Sequence, residues 1–520
     1  MSRRPNFLIF ITDQHRPDHT GFGGNTVVRT PHLDALAARS VRFDRAIVAN
    51  PICMPNRASL VTGRLPSLHG TRYNGISLDW SANTFMRVLR QRDYHTAYFG
   101  KSHLQNMAEN KHVRDAIFKD APAEDALLSP YPEGWDDWEN AQRHREERVE
   151  VPPDFYGLDE VAFTSMHSDV CSGHYYQWLL EQGVDPTQLQ GRSNALPFES
   201  TTPQIWRTAL PEELYPTRYV TSRTVEYLSR RKSEPEVPFV AFCSYPDPHH
   251  PFTPPGRYFD MYDPKEIPLP ASFDDPHRDS LKHYQARLAH RGKQIAFMAP
   301  FSPTEEQYRQ MAAAEYGMIS MIDDGIGEVL AALDASGLAH DTVIIFTSDH
   351  GDMFGDHGMM LKASMHYEGC LRVPLLISSP GREPGVCSSL VSTLDLAQTV
   401  LDLADCPEYE GMQGNSLVSL LDRPEGSLRD HVLVEEDEMF DLALLGQPLR
   451  MRTLVTEQAR LTLYRGTEEG ELYDLQSDPG ELNNLFARRE SRALRAHMLE
   501  RLARLQMEYA DSSPTPKYMA

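Results

Sequence analysis

Five short segments of the chain are continuously apolar and rich in β-branched and aromatic residues. They cover residues 6–12, 95–99, 237–244, 342–348 and 373–378. A run without polar alternation is typical of a strand buried on both faces of a parallel sheet. Residues 304–333 carry apolar side chains at spacings of three and four, which predicts a helix. Strands that alternate with helices indicate an α/β fold with a large, open, mostly parallel sheet flanked by helices.

The pattern changes after residue 406. Short apolar segments at 461–464 and 471–475 predict two strands, and an apolar stripe over 494–505 predicts a helix after them. We therefore expect one α/β domain over residues 1–406 and a smaller C-terminal α+β subdomain over 407–520, which ends in an extended tail. Residues 104–235 and 253–304 interrupt the alternation, and we interpret both as insertions.

Polar and ionisable residues directly follow four of the five predicted strands. They are Asp13, Gln14 and His15; Lys101, Ser102 and His103; Asp247, His249 and His250; and Asp349, His350 and Asp352. In an open α/β sheet, ligands bind at the carboxyl ends of the strands. The pattern therefore predicts that carboxylates, imidazoles and an ammonium group meet at one edge of the sheet.

The chain of 520 residues has 74 Asp and Glu against 51 Lys and Arg, a formal charge of −23. So acidic a surface argues against binding to nucleic acid or to an anionic membrane, and an anionic substrate would need local positive charge. No apolar run approaches the roughly 20 residues of a membrane span, and the N-terminal apolar stretch 7–11 is too short for the apolar region of a signal peptide, so we expect a cytoplasmic protein. The six cysteines contain no C-x-x-C pair and indicate neither a disulfide framework nor a zinc site.

One cysteine, Cys53, lies in a segment of candidate catalytic residues. Cys53 is followed by Pro55 and Arg57 in a stretch that we expect to begin a helix. A helix N-terminus together with Arg57 would lower the thiol pKa of Cys53 and attract an anion. This C-x-P-x-R sequence resembles the core motif of the sulfatases of the alkaline phosphatase superfamily, in which that cysteine is oxidised to formylglycine after synthesis.

The resemblance extends through most of the chain. Segments similar to those of sulfatases follow one another in order at 6–13, 29–34, 100–103, 248–251, 347–351, 362–374 and 471–485. Ordered agreement at so many places is not expected by chance. The two insertions are the part that the resemblance does not cover.

The resemblance implies one divalent metal ion, held by Asp13, the residue derived from Cys53, Asp349 and His350, with Gln14 as a further ligand or beside one. Carboxylate oxygens suit Ca²⁺ or Mg²⁺, and an imidazole moves the preference toward Mn²⁺ or Zn²⁺. We take Ca²⁺ as the first choice and Mn²⁺ or Mg²⁺ as alternatives. The Asp-Gln and Asp-His pairs are similar to those of choline sulfatases and phosphonate monoester hydrolases, whereas many sulfatases have Asp-Asp and Asp-Asn.

The resemblance also implies a mechanism. One hydroxyl of the metal-bound formylglycine hydrate attacks the ester and forms a covalent sulfo-enzyme intermediate, while His249 gives a proton to the leaving oxygen. His103 is the candidate base that then releases the inorganic ester. Lys101, Lys362 and Arg57 supply positive charge for the anion and the nucleophile.

Asn74 is either a turn residue or a hydrogen-bond donor to the substrate, and we favour the donor. With Lys101, His249 and Lys362 it forms the expected substrate-binding set. Other histidines near the motifs are interpreted as packing or solvent-exposed residues; they are His15, His19, His250, His357 and His366.

We expect a hydrolase for sulfate monoesters of the arylsulfatase type, with a small-molecule anionic ester as substrate. The alternative is a phosphonate monoester or phosphate diester hydrolase with the same residues, because all these substrates are singly charged tetrahedral groups. A third hypothesis, a catalytically inactive binding protein, predicts a missing ligand or nucleophile, and none is missing from the sequence. The expected partners are a formylglycine-generating enzyme during maturation and further copies of the chain in a homo-oligomer.

Overall fold

A computed structural model describes residues 4–108, 129–200, 202–294, 299–443 and 445–516. Its strands are β1 (Asn6–Thr12), β2 (Val41–Phe43), β3 (Ala46–Ile47), β4 (His95–Gly100), β5 (Glu160–Ser165), β6 (Ser172–Gly173), β7 (Phe239–Ser244), β8 (Thr342–Ser348), β9 (Arg372–Val373), β10 (Leu375–Ser378), β11 (Gly385–Cys387), β12 (Val391–Ser392), β13 (His431–Asp437), β14 (Arg450–Thr456), β15 (Ala459–Arg465) and β16 (Gly470–Asp474). The α-helices cover Pro31–Ala37, Cys53–Thr62, Pro66–His69, Phe85–Arg90, Ala141–Glu146, His174–Glu181, Pro216–Arg231, Gly256–Phe259, Lys282–Leu288, Glu305–Ser336, Glu368–Leu371, Asp395–Leu403, Val418–Asp422 and Arg492–Glu508.

A nine-stranded sheet organises the larger part of the described chain, in the order β11-β2-β10-β8-β1-β7-β4-β5-β6. Its central strands β8, β1, β7, β4 and β5 are parallel. Alternate side chains of β1 enter different hydrophobic clusters, with Phe7 and Ile9 in one and Leu8 and Phe10 in the other. The sheet is therefore buried on both faces, which confirms the prediction of a large, mostly parallel sheet flanked by helices.

The long predicted helix is Glu305–Ser336. It begins with a capping box, in which the side chains of Thr304 and Gln307 each accept a hydrogen bond from the other residue's backbone N–H, and it ends at Gly337 with φ 76°. It packs along the helix Pro216–Arg231 on one face of the sheet. None of the helices within the described ranges is both long and apolar enough to cross a membrane.

The C-terminal part forms a separate antiparallel sheet, β13-β14-β15-β16. The strands predicted at 461–464 and 471–475 lie in β15 and β16, and the predicted helix is Arg492–Glu508. Leu461 and Leu472 of the sheet pack with Leu502 and Leu505 of that helix. The predicted α+β subdomain is confirmed.

Two expectations need correction. The segment 373–378 is not a parallel strand: it is divided between β9 and β10, and β10 runs antiparallel to β8. The only α-helix between β8 and β10 is the short Glu368–Leu371, so no crossover helix returns the chain to the opposite edge before β10 begins. Residues 104–235 are also not only an insertion: they contribute strands β5 and β6 of the large sheet and the helix Pro216–Arg231 that packs on it.

Candidate active site

The carboxyl ends of β1 and β8 bring four polar residues side by side. Thr12 pairs with Ser348 in the parallel register, so the next residues of both strands emerge together. The backbone N–H of Gln14, at φ 63°, donates to Asp349 Oδ1 at 3.1 Å. Asp13, Asp349 and His350 are fully buried here.

Cys53 is the first residue of the helix Cys53–Thr62, and the start of that helix faces the strand ends. Its Sγ lies 3.1 Å from His350 Nε2 and 3.7 Å from Asp13 Oδ1. One potential ligand atom from each of Asp13, Cys53, Asp349 and His350 lies within 4.8 Å of the others. Because His350 Nδ1 donates to the carbonyl of Gly351 at 2.8 Å, its Nε2 presents a lone pair to the two carboxylates. This buried set of oxygen and nitrogen donors fits a divalent metal ion.

Arg57 lies one helical turn after Cys53 and contacts the carboxylates of Asp13 and Asp349. Its Nε donates to Asp349 Oδ2 at 2.7 Å, and a terminal nitrogen lies 3.5 Å from Asp13 Oδ2. The side chain of Asn56 donates to the carbonyl of Asp349 and accepts from the N–H of Ala49 at 3.0 Å. The motif therefore fixes the position of Asp349 through both its side chain and its backbone.

The expectation of a lowered thiol pKa at Cys53 is wrong. Burial, and then the negative charge of Asp13, raises the pKa of Cys53 to about 11, against the weaker opposing effect of Lys101 and Lys362. The sequence shows the helix start and the arginine but not the desolvation, which disfavours the thiolate. An unmodified Cys53 is therefore a protonated thiol at neutral pH.

Lys101 and Lys362 each contact one of the two residues that directly follow β1. Lys101 forms a buried ion pair with Asp13 Oδ2. Burial raises the pKa of Asp13, but Lys101 and then Arg57 outweigh it and hold that pKa well below its usual value. Lys362 Nζ donates to Gln14 Oε1 at 2.9 Å and lies 2.6 Å from His249 Nε2.

The two histidines predicted to transfer protons are both buried beside these cations. The Nδ1 of His249 bonds the carbonyl of His250, which leaves Nε2 directed at Lys362. The Nδ1 of His103 has no hydrogen-bond partner in the part of the chain that the structure describes. Burial is the largest cause that holds the pKa of each imidazole well below its usual value, and Lys101 contributes to both.

Asn74 lies at the start of the Cys53–Thr62 helix, where its Oδ1 accepts the backbone N–H of Met54 at 3.1 Å. The side-chain oxygen thus satisfies one of the free N–H groups of the first turn. Its amide nitrogen is not needed for that contact. The structure therefore brings the predicted site residues to this edge of the sheet. Asn74 is joined to the others through the backbone of Met54 and not through a contact with another predicted side chain.

A profile of the sulfatase family, described as Sulfatase, matches residues 5–406. The chain belongs to the sulfatase family. A second profile, N-sulphoglucosamine sulphohydrolase, C-terminal, matches residues 355–508 of this sulfatase. The family resemblance of the motifs is thereby confirmed.

This sulfatase is 28% identical to the arylsulfatase of Clostridium perfringens (strain 13 / Type A), over 98% of this chain and 97% of that protein. It is 27% identical to the choline-sulfatase of Rhizobium meliloti (strain 1021), over 93% of this chain and 82% of that protein. The crystal structure of the phosphonate monoester hydrolase of Agrobacterium radiobacter matches with a TM-score of 0.75 at 25% identity, covering 98% of this chain and 97% of that chain. Both activities weighed from the sequence thus occur among proteins similar to this one.

Two side chains that the motifs did not indicate lie within this sulfatase site. The ring of His167 stacks on His249 with centroids 3.6 Å apart, and its Nε2 lies 2.6 Å from Lys101 Nζ. Glu139 accepts hydrogen bonds from the Ser102 hydroxyl and, at 2.7 Å, from the backbone N–H of His103. His167 stands alone in the sequence, and Glu139 lies in an acidic stretch that favours a surface, so neither carries a local signal.

Proposed function

We propose that this protein hydrolyses sulfate monoesters, as an arylsulfatase-type enzyme acting on small anionic esters. The observation that carries the proposal is the position of Cys53, which faces Asp13 and His350 at the start of a buried helix with Arg57 beneath it. Membership of the sulfatase family and the similarity to an arylsulfatase support the same activity. Lys101 and Lys362 give the site the local positive charge that the acidic surface lacks.

The nucleophile proposed here is formylglycine made from Cys53 by a formylglycine-generating enzyme. The raised thiol pKa supports this, because a cysteine protonated at neutral pH is a poor nucleophile. The hydrate of the aldehyde would supply an oxygen nucleophile in place of the sulfur. Asn56, which is held by Ala49 and Asp349, keeps the motif helix fixed against the strand ends.

The residues that would hold the metal are Asp13, Asp349, His350 and the residue derived from Cys53, with Gln14 beside them. A bound divalent ion would neutralise negative charge on the reacting oxygens. Two carboxylates favour Ca²⁺ as the first choice and keep Mg²⁺ as an alternative, and the imidazole makes Mn²⁺ a further alternative. Arg57 orients Asp349 for this role through its 2.7 Å contact.

His249 and His103 would divide the proton transfers. Because Nδ1 of His249 is held by a carbonyl, the imidazolium form of His249 would deliver its proton from Nε2 to the leaving oxygen. The lowered pKa keeps His103 neutral, and its Nδ1, which has no hydrogen-bond partner among the described residues, would accept a proton in the later step. Lys101 and Lys362 would bind the ester anion, and Asn74 would donate from its amide nitrogen.

The alternative function is hydrolysis of phosphonate monoesters or phosphate diesters. The match to the phosphonate monoester hydrolase, and the Asp-Gln and Asp-His pairs, favour it specifically.

The deciding experiment compares kcat/KM for an aryl sulfate and the matching aryl phosphonate monoester in one preparation of enzyme. We expect the sulfate to be preferred, and a large preference for the phosphonate would replace the first proposal by the second.

Mass spectrometry of the peptide that contains Cys53 tests the nucleophile independently of the substrate. We expect the mass of an aldehyde or its hydrate in active enzyme, whereas an unmodified thiol in fully active enzyme would refute the formylglycine mechanism.

We also propose a homo-oligomer in the cytoplasm. All six cysteines are free and buried, which suits a reducing compartment.

A further inference from the structure

We propose a second metal site, for Zn²⁺, formed by Asp275, His277 and His357. It is separate from the Cys53 site and shares no residue with it. Asp275 and His277 belong to the segment 253–304, and His357 belongs to the loop between β8 and Lys362. A metal at this place would therefore tie the segment to the loop that carries a proposed substrate-binding lysine.

The three side chains already direct their donor atoms at one point. Asp275 Oδ2 lies 2.8 Å from His357 Nδ1 and 3.9 Å from His277 Nδ1. Donor atoms in a tetrahedral zinc site with bonds of about 2.0 to 2.2 Å lie about 3.3 to 3.6 Å apart, so small movements would form the site. The Ser280 hydroxyl lies 2.8 Å from His277 Nδ1, and a water molecule would take the fourth place, as in other zinc sites with three protein ligands. The three side chains are 1–4% exposed, so the donors are shielded from bulk water.

The surrounding hydrogen bonds orient these donors as they would around a metal. His277 Nε2 donates to the carbonyl of His357 at 2.6 Å, which leaves the lone pair on Nδ1. Asp275 Oδ1 accepts the N–H of His277 at 2.9 Å, so its other oxygen remains for the ion. For His357 Nδ1 to bind the metal, the proton that it shares with Asp275 would move to Nε2 of the same ring, so that Nδ1 presents its lone pair.

The backbone also holds His357 in an uncommon conformation. Its φ is 52° and its ring stacks on Tyr367 with centroids 3.9 Å apart. Ser272 accepts the N–H of His357 at 3.1 Å and donates to Asp356 at 3.0 Å, which joins the same two segments. Two imidazoles with one carboxylate suit Zn²⁺ better than Ca²⁺, which prefers oxygen ligands alone.

The test counts zinc in the full-length protein after dialysis, first against Zn²⁺ and then against metal-free buffer. We expect His277→Asn and His357→Asn to bind one zinc equivalent per chain fewer than the wild type. Asn tolerates the left-handed backbone at position 357, so folding should be retained there. The exposed His497→Asn is the matched control and should bind as much zinc as the wild type.

A second measurement separates ligation from simple packing. Zn²⁺ should raise the Tm of the wild type and of His497→Asn but not that of His277→Asn or Asp275→Asn, provided that circular dichroism shows all four folded. Equal zinc content and equal Tm shifts in all the variants would overturn the proposal and leave an ordinary histidine–aspartate hydrogen bond. Because the Cys53 site is untouched, the result does not depend on the proposed hydrolase activity.

Discussion

The imidazole of His167 lies on that of His249, with ring planes only 11° apart. His167 reaches this position from the loop after β5, and it also contacts Lys101. A positive charge on either ring disfavours a charge on the other. His167 is therefore the neighbour that most directly sets when His249, the proposed acid, can carry its proton.

Replacing His167 with Asn should raise the pKa of His249, because burial and then His167 are the leading causes that hold it low. The acid must be protonated to act, so kcat/KM falls as pH rises through its pKa. We expect this alkaline limb to move to higher pH. The shift is measured from the pH profile of kcat/KM with an aryl sulfate, and His497→Asn is the control variant. An alkaline limb that stays in place in the His167 variant would contradict the assignment of His249 as the acid.

Exchange of Arg57 for Met should lower the free energy of unfolding by about 3 to 5 kcal/mol, since it leaves the buried Asp349 without its partner. Urea titration measures the change. Arg504→Met, which breaks an exposed pair with Glu500, should leave the stability nearly unchanged. Equal losses of unfolding free energy in the two variants would show that the buried ion pair stabilises the protein no more than the exposed one.

Cys53→Ala should remove activity by at least about a thousandfold, as the loss of a covalent nucleophile does in other hydrolases. The chain should still fold, because the exchange only shortens a buried side chain. Cys406→Ala, in a buried position away from the strand ends, should keep wild-type turnover. Substantial residual activity in Cys53→Ala would point to a different nucleophile.

Glu139→Gln should lower kcat by roughly 10- to 100-fold, as loss of a positioning side chain does at other sites. The carboxylate accepts from the N–H groups of His103 and Leu104, and an amide would bring its own donors against them. Because Glu139 orients the loop rather than binding the anion, KM should change less than kcat. The exposed Glu150→Gln is the control, and a change in KM alone would argue for a binding role instead.

Removal of divalent metal by a chelator should abolish hydrolysis, because Asp13, Asp349 and His350 would be left without the ion they are arranged to hold. Adding Ca²⁺, Mg²⁺ or Mn²⁺ separately should restore activity to different extents and so rank the ions. Asp349→Asn should bind the restoring ion more weakly in a titration. Full activity in exhaustively chelated enzyme would exclude a role for the metal.

Local pattern was sufficient for much of the fold. The apolar segments at 6–12 and 342–348 are β1 and β8 with the predicted bounds, because strands buried on both faces need continuous apolar side chains. The motif residues around Cys53 were also evident, since their order along the chain resembles one family throughout. The antiparallel direction of β10 was not evident from the sequence, because the direction of a strand depends on the chain that connects it to its neighbour and not on its own apolar residues.

The sequence by itself determined the residue types of the site and the order in which they follow the strands. Only the tertiary structure decided how each group behaves. The Cys53 thiol has a raised pKa because burial and the charge of Asp13 outweigh Lys101 and Lys362. Glu139 accepts the backbone N–H of His103 although its neighbours in the sequence are acidic. His167 joins the site through contacts with Lys101 and His249. Desolvation and long-range packing depend on the whole folded chain, so no local pattern encodes them.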